Sequence, residues 1–420
     1  MGDQHRDRSD HEDIAPFRAR LQTWLADQAP RHGWLAGTRA DPGRPLAEDS
    51  DAQARLARAR ACQRLLHDAG FAGITWPQEY GGQGLTNREQ VVFNQEVGAY
   101  DLPLTPYAVG LGMCGPTVLA VGTQTQKRRY IEPMLRGDEI WCQLFSEPDA
   151  GSDVASLRTR AERAEGGWRL TGQKVWTSAA QYAAYGMILA RTDPDVPKHA
   201  GLTMFILDMH APGVTVRPLR QMNGASAFNE VFLDGVHVRD DAVLGEVNAG
   251  WSAAVVTLMT ERVSIGTGVR SHDIPDAHEL AAAAMDLGKG DDPVVRQAIA
   301  EVHIQEQILA AIGERISGAI LAGDVPGPEG SVAKLVQSAL VRRVAAVGWQ
   351  IAGPAAQAWS EADPQAGRWS RVLLIAPGLS IAGGTDEIMR TIIGERVLGL
   401  PREPRVERDR PSGQPGRDRG

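Results

Sequence analysis

Between Ile14 and about Arg136 the apolar residues recur at helical spacing, as in Phe17, Leu21, Trp24 and Leu25, which predicts a run of amphipathic helices. Pro77 after Trp76, and the glycines of Gly81-Gly82-Gln83-Gly84, interrupt that spacing and predict turns. From about Ile140 to Leu244 the period shortens. Trp168-Arg-Leu-Thr-Gly-Gln-Lys-Val-Trp176 alternates behind the turn Glu165-Gly166-Gly167, and Met187–Ala190, Leu202–Leu207 and Val231–Leu233 predict further strands. After Gly250 helices rich in Ala, Val, Leu and Ile return and continue to about Leu398. The order is therefore helical (14–136), strand-rich (137–245) and helical again (246–400). Strands gathered in the middle argue against a doubly wound sheet, which needs alternation, and no Gly-x-Gly-x-x-Gly follows a strand. No repeat of solenoid length is present.

Composition narrows the classes. A chain of 420 residues that is 43% hydrophobic and 23% charged is globular and long enough for two to three domains. No window approaches a continuous apolar membrane span, so none is expected. The segment 1–13 is polar, with no apolar stretch of a signal peptide, and 401–420 is Pro, Gly, Arg and Asp; both are expected to be disordered tails. Forty-four basic against 52 acidic residues leave a net charge of −8, which argues against nucleic acid and anionic membranes as partners. A few local arginines can still hold an anionic cofactor. Cys62, Cys114 and Cys142 form neither a close metal-binding pair nor a disulfide framework, so no metal is expected and a reducing cytoplasm is the expected location.

Four segments offer chemistry. Phe145-Ser-Glu-Pro-Asp-Ala-Gly-Ser-Asp153 combines hydroxyls, backbone N–H groups and a small Gly151, which suits phosphate or flavin oxygens; a plain Asp/Ser/Gly turn reads the same way. Thr171-Gly-Gln-Lys-Val-Trp-Thr-Ser178 ends a strand in an indole beside two hydroxyls, either a stacking platform for a planar heterocycle or an ordinary strand with a buried Trp. Trp251 to Val269 carries only the adjacent charges Glu261 and Arg262, and Glu261 shares a helical face with Thr257 and Ser264. A carboxylate in so apolar a helix is either a salt-bridge partner or a general base of raised pKa. Finally, Ser380-Ile-Ala-Gly-Gly-Thr-Asp-Glu387 leads a glycine loop into a helix capped by Thr385, with Asp386 and Glu387 in its first turn.

Taken in order and with their spacing, Trp76-Pro-Gln-Glu-Tyr-Gly-Gly-Gln-Gly84, Phe145–Asp153, Gly172–Ser178 and Gly383-Gly-Thr-Asp-Glu387 resemble the acyl-CoA dehydrogenase family over about residues 14 to 403. The resemblance implies an α+β fold: an N-terminal helical domain, a middle β-barrel-like domain and a C-terminal four-helix bundle. It implies bound FAD and an acyl thioester of coenzyme A. Gln143, Phe145, Ser146 and Ser152 match the loop along the flavin, with Ser152 also near the CoA part of the substrate. Trp176, Thr177 and Ser178 match the segment on the isoalloxazine, Ser178 facing its N5. Thr385, Asp386 and Glu387 match FAD contacts, while Arg262 and Gly384 match substrate contacts. Arg296 and the turn Gln350-Ile-Ala-Gly353 match residues that hold the adenine end of FAD across a subunit interface, although Ile299-Ala300 replaces the usual Phe-Gly after the Arg. The resemblance thus implies a homo-tetramer built as a dimer of dimers, or a hetero-oligomer, with an electron-transfer flavoprotein as acceptor.

Many members of that family carry the catalytic Glu just before Gly-Thr, where this chain has Gly383. A minority place it directly before the Arg that is here Arg262, and that place holds Glu261. The resemblance therefore implies Glu261 as the base that takes the α-proton, with the β-hydrogen leaving as hydride to flavin N5. Oxygen-using enzymes of the same fold, and a non-catalytic subunit of a hetero-oligomer, remain as alternatives.

Overall fold

The computed structural model describes residues 14–34, 49–266, 274–322, 327–357 and 364–402. The tails expected over 1–13 and 401–420, apart from Pro401 and Arg402, lie outside the described residues, as do the side chains of Glu261 and Arg262.

The N-terminal helices are α1 (Ala15–His32), α2 (Asp49–Asp68), α3 (Asn87–Val97), α4 (Gly115–Val121) and α5 (Gln124–Leu135). Each boundary has a local cause. Gly33 ends α1 in the left-handed region at φ 67°, and Thr86 with Glu89, and Thr123 with Gln126, form capping boxes that start α3 and α5. Leu21, Leu25, Cys62, Leu66 and Phe71 form the apolar seam between α1, α2 and the following turn. A five-residue π-helical turn, Gly110–Cys114, precedes α4.

The middle domain holds β1 (Trp141–Leu144), β2 (Arg160–Ala164), β3 (Gly167–Ser178), β4 (Tyr185–Arg191), β5 (Leu202–Asp208), β6 (Val214–Leu219) and β7 (Phe228–Arg239). They make one seven-stranded sheet in the order β1-β4-β2-β3-β7-β6, with β5 on β4. β5 pairs antiparallel with the whole of β4, whereas β1 runs parallel to its first half and β2 meets it at Arg191. The central strands are apolar without interruption because both faces are covered. Met187 and Leu189 pack with Met134, Leu135 and Ala254 on the helical side, and Ile188 and Ala190 pack with Phe205, Val231 and Leu233 inside the curl of the sheet.

The C-terminal helices are α6 (Gly250–Gly266), α7 (Ala277–Asp286), α8 (Pro293–Leu321), α9 (Gly330–Ala352), α10 (Pro364–Leu379) and α11 (Asp386–Ile392). Leu280, Val302, Val341, Val344, Trp369 and Val372 form their core. α6 joins the domains, with Ala253 and Ala254 in the core that also contains Val118 of α4 and Met204 of β5. The sequence pattern predicts α6 to be buried all round. In the chain it is not: Val255 and Met259 face outward, 38% and 48% exposed. Among the described residues no helix is long and apolar enough to cross a membrane.

Candidate functional site

The Phe145–Asp153 segment leaves the end of β1 and is tied to β3 by a small number of strong contacts. The amide of Val175 donates to the Ser146 carbonyl at 2.9 Å. Lys174, completely buried, donates from Nζ to the Phe145 carbonyl at 3.0 Å and to Glu147 Oε1 at 2.9 Å. Glu147 also accepts the amides of Arg158 at 2.6 Å and Thr159 at 2.9 Å, closing the loop onto itself. A second buried cation, Arg191 of β4, donates to the carbonyls of Ala155 and Lys198. Burial pushes the Lys174 ammonium down to about 8 although Glu147 draws it up. Glu147 is opposed by burial too, yet the Lys174 charge and the amides hold it below the usual carboxylate range.

Beyond Lys174 the strand changes face. Trp176 adopts φ 60°, a left-handed conformation rare for so bulky a residue, and its indole is 57% exposed, edge-on to Phe228. The reading of an ordinary strand with a buried Trp is thus overturned. Thr177 is buried with Oγ1 unpartnered, its carbonyl accepting from Asn229, and Ser178 is half-buried. Gln143 on β1 is half-buried, with Oε1 likewise unpartnered. The Phe145 ring lies in the core, Ser146 is half-buried, and Ser152 is exposed at the outer end of the loop, next to Asp153, which is ion-paired with Lys198.

In the last domain Thr385 caps α11, accepting the amide of Ile388. Asp386 is buried, and its carboxylate is taken up by its own chain: it accepts from Ser338 at 2.7 Å, Arg342 at 2.8 Å and Lys334 at 3.1 Å, all on α9. Its side chain is thereby committed to holding the loop in place, and Glu387 beside it is exposed. Gly383 and Gly384 have φ 66° and 93°, and a Cβ on Gly384 would meet Met389 Cε at 2.7 Å. Arg296, Gln350 and Gly353 converge on one end of the bundle. Lys289 donates to the carbonyls of Gln350 and Ile351, Arg296 to that of Gly290, and Gly353 turns at φ 61°. Glu261 occupies α6 one turn after Thr257, whose Oγ1 lies 2.9 Å from Thr117 Oγ1 of α4.

Three family models match the chain in succession: acyl-CoA dehydrogenase N-terminal domain at 40–138, middle domain at 142–236 and C-terminal domain at 248–398. Acyl-CoA dehydrogenase IpdE1 of Mycobacterium tuberculosis is 35% identical over 93% of this chain and 99% of its own length. The chain belongs to the acyl-CoA dehydrogenase family. Acyl-CoA dehydrogenase FadE34 of the same organism is 40% identical over 87% of this chain, which spans only 51% of that relative. Among solved structures, one described as the Tcur3481-Tcur3483 steroid ACAD superposes with TM-score 0.76 at 28% identity, covering 93% of this chain and 98% of that one. The ChsE4-ChsE5 complex from Mycobacterium tuberculosis gives 0.72 at 26% identity, over 94% and 100%.

Acyl-CoA dehydrogenases are FAD-dependent oxidoreductases, and this chain fits the cofactor on its own geometry. The exposed Trp176 face offers a planar apolar wall, and Gln143 Oε1 and Thr177 Oγ1 are buried polar atoms without partners among the described residues. Glu147 and Lys174 fall inside two of the segments singled out in the sequence, but nothing there shows that they pair, or that Thr159 and Arg191 join them. The one further signal is Arg191, a charge that ends the apolar run of β4.

Proposed function

We propose that the protein removes the α- and β-hydrogens of a bulky acyl-CoA thioester, giving the 2,3-enoyl thioester, with Glu261 as the α-proton base. The observation that carries this reading is the β3 kink, which turns the Trp176 indole to an open face in a chain of this family, with the buried Gln143 Oε1 and Thr177 Oγ1 left without partners among the described residues. When bound there, FAD supplies the acceptor for the β-hydrogen at N5. Gln143, Ser146 and Trp176–Ser178 would hold the ring, with Ser178 donating toward N5. The turn at Thr385–Glu387 would complete the site, and Arg296, Gln350 and Gly353 would reach the adenine end in a neighbouring subunit.

Glu261 takes the proton because the alternative position is vacant of any acid. Gly383 stands there in a left-handed conformation that a Glu would enter only with strain. A solvated Glu near pKa 4.3 would be too weak a base, so this role requires that the bound substrate exclude water from the carboxylate. Backbone N–H groups near Glu387, with Gly384 and Arg262, would orient the thioester and stabilise charge developing on its carbonyl. Ser152, at the exposed loop end, would meet the CoA part.

A bulky, polycyclic acyl group accords with relatives described as steroid enzymes and with the small Gly383–Gly384 loop. The exposed Ile304 and Ile308, one turn apart on α8, support assembly into a tetramer, as a homo-oligomer or with a second family chain. The electron acceptor would be an electron-transfer flavoprotein, in a reducing cytoplasm.

The purified protein is expected to be yellow and to release about one FAD per chain on heating, identified by chromatography. Release of FMN, or no flavin after supplementation with FAD, would overturn this reading.

A further inference from the structure

In an unbroken strand Lys174, Trp176 and Ser178 would share one face, because side chains alternate with period two. Here Lys174 is 0% exposed and Trp176 is 57% exposed. The switch occurs at a defined place. On β3 the ladder to β7 jumps from Lys174 opposite Val231 to Thr177 opposite Asn229, so that β3 carries one extra residue. This is a β-bulge, and a slip of one residue turns every following side chain to the other face. Before it Trp168, Leu170 and Lys174 point inward; after it Thr177 does, and Trp176 and Ser178 turn to the open side.

A bulge with a tryptophan at φ 60° is strained and persists only where its surroundings over-determine it. What surrounds it is the Glu147–Lys174 pair. At the bulge the Val175 amide bonds the Ser146 carbonyl, outside the β3–β7 ladder, and Lys174 grips the carbonyl of the residue before it and the carboxylate of the residue after it. Glu147 in turn holds the amides at the far end of the same loop. Upstream, Gly172 admits Thr159 so closely that a Cβ would lie 2.8 Å from the Thr159 Cα. Loop and strand therefore form one clamped unit.

Resting on the reading of this face as the flavin site, we propose that the buried Glu147–Lys174 pair is a positioning device for the flavin. It locks the β3 bulge that presents Trp176 and Ser178 to the cofactor, and neither residue touches the flavin itself. With the pair disrupted, the strand relaxes toward the regular ladder and the two side chains leave the cofactor face.

The test uses full-length Glu147→Gln, Lys174→Met and the double variant, stripped of flavin and titrated with FAD by flavin fluorescence, alongside visible-region circular dichroism of each reconstituted protein. Glu147→Gln is isosteric, and its single amide oxygen can still accept one of the two loop amides, so it remains informative should Lys174→Met fail to fold. Each folded single variant is expected to bind FAD about tenfold or more weakly and to show an altered visible dichroism. The double variant, with no unpaired buried charge, is expected to regain thermal stability but not the native flavin spectrum. A merely structural pair predicts the reverse. Folded variants with lowered melting temperature, native dichroism and FAD affinity within twofold of the parent would overturn the proposal. Absence of FAD binding by the parent protein would instead refute the flavin-site reading on which it rests.

Discussion

Replacing Glu261 by Gln is expected to leave a folded, flavin-containing protein whose flavin is reduced by substrate at least ~10²-fold more slowly, the usual loss on removing a general base. Glu and Gln are nearly isosteric, so packing along α6 is preserved while the proton acceptor is lost. The competing view of Glu261 as a salt-bridge partner predicts lowered stability and intact chemistry. Rapid mixing of the oxidised enzyme with acyl-CoA under anaerobic conditions separates them. Moving the acid offers a second arm: Glu261→Gly combined with Gly383→Glu should regain part of the activity lost in Glu261→Gly. Recovery will be limited, since Gly383 sits at φ 66° and a misplacement of 1 Å can itself cost about 10² in rate. Full activity in Glu261→Gln would remove Glu261 from the mechanism.

Asp386→Ala is expected to destabilise the C-terminal domain by about 3–5 kcal/mol, the range found when one partner of a buried ion pair is removed. The reason is Lys334, whose side chain is only 7% exposed and would lose the carboxylate it is paired with. Arg342, at 43%, can turn to water. The pH dependence follows from the same contacts. Burial alone would raise the Asp386 pKa, but hydrogen bonds from Arg342, Ser338 and Lys334 overcome it and bring it from 3.8 to about 2. A group with a depressed native pKa contributes stability that is fully present above its unfolded value and is lost as pH falls through the native one. Denaturant melts between about pH 5 and pH 2 should therefore show a loss in the parent protein that is missing from Asp386→Ala. Equal stability of the two proteins at neutral pH would refute the role given to this cluster.

Much of this architecture is legible in the sequence, for reasons visible in the structure. β4 and β5 read as strands because both faces are buried, leaving unbroken apolar runs. β2 and β6 do not. Arg160–Ala164 has no strand-forming residues and is held by its hairpin to β3, and Val214–Leu219 is an exposed edge that contains Pro218. Thr385 reads as a helix cap because its reason is local. The Glu147–Lys174 pair spans 27 residues of chain, and no pattern of period two or 3.6 marks it. The bulge is hidden for the same cause: Lys174, Val175 and Trp176 look like continued alternation, and only the partner strand shows the extra residue. Asp386 reads as a first-turn acid suited to a ligand, whereas its three partners on α9 come from across the bundle.

The central claim is that this chain oxidises acyl-CoA thioesters at the Trp176 face with FAD as acceptor. The most direct measurement is anaerobic mixing of the FAD-loaded protein with straight-chain, branched and polycyclic acyl-CoA thioesters, following flavin absorbance and the thioester product together. Bleaching of the flavin with stoichiometric 2,3-enoyl-CoA, strongest for the polycyclic thioesters, is the predicted result. Flavin that stays oxidised with every thioester, in a protein that binds FAD, would contradict it.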